Sequence, residues 1–205
     1  MAELTKERLK ELYLPGTEDF VFVDVPDLQY VMIDGEGSPG GEVHRHAIKW
    51  LFASIYPIKR VARERMGKDF VEPPLEGLWW ADDMEDFIAG DREKVKWRMM
   101  IVTADWVSGE MFIEAVATAS EKLGELPADL RLERLHEGMS VQIMHAGDFG
   151  KAAASIAERL HQVFLPQHDL EPSGYHHEIY LTDPNRVAPE KMRTVLRQPV
   201  RSRNL

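Results

Sequence analysis

The chain has 205 residues, with 35 acidic against 25 basic side chains, a formal net charge of -10 at pH 7 and no cysteine. That balance argues against a phosphate-backbone or anionic-membrane partner, both of which need basic patches, and it suits a neutral or cationic small ligand. Disulfides, thiolate metal sites and cysteine nucleophiles are excluded together. The N-terminus MAELTKERLKELY is charged throughout and no apolar run is long enough to span a bilayer, so the expectation is a soluble cytoplasmic protein.

Residues Leu4 to Tyr13 read as a short amphipathic helix ended by Pro15-Gly16, within an N-terminal extension over 1–19. FVFVDVP and LQYVMIDG are β-rich runs joined by a tight connection at Pro26-Asp27, which predicts an antiparallel pair. Val43, Ala47, Ile48, Leu51, Ile55, Ile58 and Ala62 recur at helical spacing, so a long helix is expected from Glu42 to about Met66, kinked or split at Pro57. DFVEPPLEGLWWADD and KVKWRMMIVTADW are two further strand-type segments, separated by the polar loop MEDFIAGDREK. A connecting helix is predicted from about Gly109 to Leu123.

The order then repeats. DLRLERLHEG and MSVQIMHAG read as strands, KAAASIAERLHQVF as a helix, and YHHEIYLTD and RTVLRQPV as two more strands. A β-β-α-β-β pattern occurring twice points to an internal duplication, with halves over about 20–107 and 129–205 of a single domain spanning 20–205.

Gly35-x-Gly37-x-x-Gly40, in MIDGEGSPGG, has the spelling of a dinucleotide-binding loop. That chemistry needs parallel strands and an acidic residue about twenty positions further on. Here the preceding strand reads as part of a hairpin, the position in question falls at Arg60 inside a helix, and Glu36 would set a carboxylate where a pyrophosphate belongs. The glycines are instead expected to turn the chain from strand to helix, with positive φ where needed.

Three blocks, YVMIDGEGSPGG, VEPPLEGLWWADD and GYHHEIYLTDPNRVAPEKMRTVLRQPV, closely resemble the GyrI-like proteins, and they are spread from about residue 20 to the C-terminus. The resemblance implies an α+β fold of duplicated β-α-β-β units. Their strands would form a curved antiparallel sheet with two long helices on one face and a central ligand cleft. It also implies binding of small aromatic, lipophilic or cationic molecules. Relatives of this kind include effector-binding domains of multidrug-sensing activators, a gyrase inhibitor, and a stand-alone subfamily that hydrolyses cyclopropane-bearing alkylators within an aromatic cage. No helix-turn-helix segment is available for DNA binding.

Alternation along YHHEIYLTD puts His176, Glu178 and Tyr180 on one strand face and His177, Ile179 and Leu181 on the other. The Ile179 and Leu181 face suits packing against helices, which would leave Glu178 and Tyr180 for the ligand. A carboxylate in an aromatic site is costly to bury unless it is paired, so Glu178 fits either a cationic ligand or acid–base work. Adjacent Trp79 and Trp80 must point to opposite faces; aligning Ala81-Asp82 with Thr182-Asp183 makes Trp79 the counterpart of Tyr180, and a shift of one makes it Trp80. Trp97, Met99 and Ile101 share one face and Arg98 and Met100 the other, either of which would meet the ligand.

The expected catalytic residues are therefore Glu178 and Tyr180. The ligand-binding candidates are Trp79, Trp80, Trp97, Trp106, Tyr175, His176 and Met32. Of the eight histidines, only His176 shares a face with a carboxylate, and a third metal ligand from His136 or His145 would have to arrive through tertiary contact. No metal or cofactor is expected, and Ser108, Ser120 and Ser140 sit in no nucleophile elbow. Two function classes stand: a hydrolase detoxifying strained electrophiles, with Glu178 directing a water, and a non-catalytic protein that sequesters or senses xenobiotics. A protein-partner module like the gyrase inhibitor is a third.

Overall fold

The computed structural model describes residues 6–68, 73–82 and 94–203. The start of the third predicted strand, 69–72, and residues 83–93, which hold all but the last residue of the polar loop, lie outside the described residues. In chain order the main elements are α1 (Lys6–Tyr13), β1 (Val21–Val25), β2 (Leu28–Glu36), α2 (Glu42–Met66), β3 (Leu75–Trp80), β4 (Lys96–Thr103), α3 (Gly109–Leu123), β5 (Arg131–Leu135) and β6 (Gly138–Ala146). They continue with α4 (Phe149–Glu158), a π-helical turn (Arg159–Phe164), β7 (Leu170–Pro172), β8 (His176–Tyr180) and β9 (Arg193–Ser202). The fold is α+β, and the strand pairs within each unit are antiparallel. Among the described residues no helix is long and apolar enough to cross a membrane.

The chain forms two compact units, a continuous one over Leu28–Leu135 and a split one made of Met1–Asp27 with His136–Leu205. This division corrects the expected β1–β2 hairpin. β1 pairs with β6, whereas β2 pairs with β4 and β5. The reason lies in the connection: two-residue hairpin turns need positive φ, which Pro26 cannot adopt, and Asp169 is the one described non-glycine residue that has it. The same exchange separates β5, which pairs with β2, from β6.

In the continuous unit the strands run in the order β3-β4-β2-β5. Helix α2 packs on β2 and β4, and α3 packs on α2. α2 runs unbroken through Pro57 and stops at Gly67, whose left-handed φ of 60° lets its N–H return to Ala62 O. Its buried stripe runs His44, Ala47, Trp50, Leu51, Ser54, Ile55, Ile58, Val61 and Ala62. Val43, expected in that stripe, is 64% exposed, and His44 holds the buried position. Ser108 caps α3 by accepting from Met111 N–H at 3.3 Å.

In the split unit the order is β1-β6-β9-β8, with β7 on the C-terminal end of β9. One sheet face contributes Val141, Ile143, Leu196 and Val200 to a core closed by Phe149, Leu160 and Leu165 from α4 and the turns after it. α1 is fixed by side chains of the other face: Gln142 Nε2–H donates to Glu11 O at 2.7 Å and Arg197 donates to Leu12 O. The two units share a register. Met32, Met100 and Glu76 form one cross-strand row of the continuous unit, and Gln142, Arg197 and His177 form its counterpart. β2 and β6 each span nine residues, and each is followed by a glycine with positive φ, Gly37 at 97° and Gly147 at 124°.

Candidate functional site

Strand β8 places His176, Glu178 and Tyr180 on one face, partly exposed, and His177 and Ile179 on the other, buried. Tyr180 O–H donates to Glu178 Oε2 at 2.7 Å, and His176 Nε2 lies 3.4 Å from Glu178 Oε1. Each carboxylate oxygen thus has a strand neighbour two residues away. The Glu178 side chain remains 18% exposed, enough to meet a water or a small cation. His161, on the π turn, loses basicity through desolvation and then through the charge of His176. A π turn carries an extra residue and commonly marks a functional site; here it brings a second imidazole into electrostatic range of the first.

Helix α4 and the π turn cover the opposite face from the one expected to pack against helices. Glu178 is the cross-strand partner of Leu196, and Leu196 of Ile143, both in the core beneath α4 and the π turn. His177 pairs with Arg197, whose guanidinium reaches α1. Alternation gave the right grouping, but both faces of β8 are covered, so apolarity of Ile179 alone could not identify the helical side.

In the continuous unit the register selects between the two tryptophans. Glu76 lies across from Met100 as His177 does from Arg197, which makes Trp79 the counterpart of Tyr180. Trp79 pairs with Trp97 and Trp97 with Gly35, and this face carries α2: the His44 ring stacks on Trp79 at 5.7 Å and meets Trp97 edge-on at 5.1 Å. Trp80 is on the reverse face, opposite Lys96. Arg98, also there, is taken up by Asp34 at 2.6 and 2.8 Å.

Trp97 and Met32 are fully buried. Trp106 is partly exposed, with Lys68 Nζ 5.4 Å from its ring centre, and Tyr175 is 45% exposed. The glycine loop serves this packing. A Cβ on Gly35 would stand 2.2 Å from Trp97 Cη2, and Trp97 Nε1–H donates to Gly37 O at 3.3 Å. Gly37 and Gly40 have φ of 97° and 77°. The spelling of a nucleotide loop is a turn built around an indole.

Two groups carry polar chemistry that the sequence reading passed over. His44 Nδ1 accepts from Gly40 N–H at 3.2 Å, which leaves the proton on Nε2, and that buried atom has no hydrogen-bond partner among the described residues. Burial, then Arg45, lowers its basicity. The second group is Glu137, with His177 Nδ1 at 2.9 Å and Arg197 Nη1 at 3.1 Å. Burial alone would raise this carboxyl; the imidazole and the guanidinium prevail and hold it at about 2. The signal available in sequence was Arg197, a lone charge in the strand VLRQPV. Among the described residues no cluster of three or more histidine or carboxylate side chains is placed to hold a metal ion.

Comparison with known proteins gives a consistent assignment. The GyrI-like small molecule binding domain matches residues 18–201. An uncharacterized conserved protein from Listeria innocua is 36% identical with a TM-score of 0.85, covering 96% of this chain and 98% of its own. Two hydrolase structures from the same organism, one of them encoded by lin2189, are 34% and 35% identical, both with a TM-score of 0.79 and the same coverage. No curated protein sequence matches.

Proposed function

Because the chain belongs to the family of GyrI-like small molecule binding domains, we propose that it is a hydrolase of a strained, electrophilic small molecule, with Glu178 as the general base. The observation that carries this reading is the carboxylate held between Tyr180 and His176, partly open to solvent. The two Listeria hydrolases, alike over 96% of the chain, support the reaction class.

For a cyclopropane conjugated to a carbonyl the step balances without a cofactor. Glu178 accepts a proton from water as the oxygen bonds to the strained carbon. The breaking ring bond delivers its electron pair to the carbonyl system, which takes up a proton. Tyr180 hydrogen-bonds either the water or the developing oxyanion, and orienting these groups supplies much of the acceleration. Tyr175 and His176, on the same unit as Glu178, are assigned to ligand binding. Aromatic faces attract a cation or positive charge developing on carbon by about 0.5–1 kcal/mol per exposed contact.

The test is incubation with a spirocyclopropyl-cyclohexadienone in ¹⁸O-water, followed by mass spectrometry, with Glu178→Gln in parallel and rhodamine 6G as a lipophilic cation. Ring-opened product carrying ¹⁸O, lost in the variant, is the expected result. Stoichiometric binding without turnover would make the protein a sequestering one. Undiminished turnover by Glu178→Gln would remove the general base.

A further inference from the structure

We infer that Glu137, His177 and Arg197 form a positioning frame that holds Glu178 on its working face, with α1 as part of the frame; this rests on the hydrolase reading above. Arg197 sits mid-strand in β9 with its side chain wholly buried, and its three nitrogens are all engaged. Nε–H donates to Gln142 Oε1 at 3.1 Å, Nη1–H to Glu137 Oε2 at 3.1 Å, and Nη2–H to Leu12 O. Leu12 O and Glu11 O are carbonyls of the last turn of α1, which a helix cannot satisfy internally. A guanidinium there also meets the negative end of the helix dipole. The Tyr13 ring, 6.0 Å from the guanidinium carbon, adds a cation–π contact.

The other oxygen of Glu137 contacts His177 Nδ1 at 2.9 Å. His177 is the immediate neighbour of Glu178 and the direct cross-strand partner of Arg197. The sequence His176-His177-Glu178 makes this strand vulnerable to misregister. A slip of one residue exchanges the two faces of a strand, and here it would bring the Glu178 carboxylate toward the buried Arg197. Glu137 removes that attraction. It neutralises Arg197 from outside β8, and through its second oxygen it accepts a bond that His177 can make and Glu178 cannot. Buried ion pairs are poor sources of net stability, since apolar replacements of similar volume are often neutral or better. What this one supplies is direction: each bond fixes which side chain of β8 lies behind the sheet.

The experiment separates direction from stability. Glu137→Leu/Arg197→Met removes both charges while keeping the volume apolar; His177→Leu and His177→Asn form a second pair, since the asparagine amide can replace the Nδ1–H donor. Thermal unfolding, turnover of the spirocyclopropyl-cyclohexadienone and the Glu178 ¹³Cδ resonance are measured on each at a temperature where it is fully folded. The double variant and His177→Leu are expected to lose at least tenfold in kcat with KM within twofold, and to show a shifted or split Glu178 resonance. His177→Asn is expected to regain most of both. Wild-type kcat and an unmoved resonance in the double variant and His177→Leu would overturn the frame. If the wild type itself fails to turn over, the hydrolase reading fails, and the resonance alone decides the positioning.

Discussion

Replacing Glu137 with glutamine tests the buried ion cluster through its dependence on pH. Against burial, which would raise it, His177 and Arg197 hold the carboxyl at about 2, below its ordinary 4.5. A group whose folded value is depressed stabilises fully above the unfolded value and loses that stabilisation as pH falls through the folded one. At about 1.4 kcal/mol per unit, the depression amounts to roughly 3 kcal/mol at pH 7, of which roughly half is gone by pH 3. That agrees with the roughly 3–5 kcal/mol lost when one partner of a buried pair is removed, and little solvent discount applies because the Glu137 side chain is 4% exposed and that of Arg197 is 0% exposed. Urea unfolding of wild type and Glu137→Gln across pH 7, 5, 4 and 3 measures the difference, in which the other carboxylates cancel. The gap should be widest at pH 5–7 and narrow steadily below pH 4.5. A gap that stays constant with pH, or one below about 1 kcal/mol at pH 7, would refute the reasoning.

Gly35→Ala should lower stability by about 1–3 kcal/mol, as overpacking of a closed site does, because the new methyl meets an indole that is itself buried; an unchanged melting temperature would show that Trp97 can retreat. Tyr180→Phe deletes the 2.7 Å bond to Glu178, and losing a hydrogen bond to a charged group of about 1.5 kcal/mol should reduce kcat roughly tenfold, read from steady-state turnover. His44 should titrate by NMR below the ordinary 6.5 and show a proton on Nε2 above it. Because its folded value is depressed, its stabilisation is present at neutral pH and lost on acidification, and titration at or above 6.5 would contradict the buried, neutral ring.

The duplicated order was readable because each half repeats a nine-residue strand followed by a positive-φ glycine. Pairing was not. A strand such as FVFVDVP declares through Val23 and Val25 which face it buries, yet any strand of matching alternation can accept it. The decisive feature was negative: Pro26 cannot form the turn that a β1–β2 hairpin requires. Read for its φ rather than for its turn propensity, Pro26-Asp27 would have sent β1 elsewhere. Likewise Pro57 marked a break that tertiary packing overrode, since α2 keeps its buried stripe on both sides of it.

At the site, alternation grouped Glu178 with Tyr180 and His176 because period two is a property of the backbone. It could not say which group faced the core, because the informative side chains of β8 are paired by partners far away in sequence: Leu196 for Glu178, Glu137 for His177. Those partners have weak local signatures, with one exception. A charged residue between apolar neighbours in a strand must be matched by an opposite charge if it is buried. Arg197, once buried, therefore required an opposite charge, and Glu178 stands beside its cross-strand partner His177 on the facing strand. The structure gives that duty to Glu137, at the β5–β6 connection, and by doing so leaves Glu178 to Tyr180 and His176. On the proposed reading the same strand holds one histidine as an anchor and one carboxylate as a reagent, with the identity of Arg197's counterion keeping the two apart.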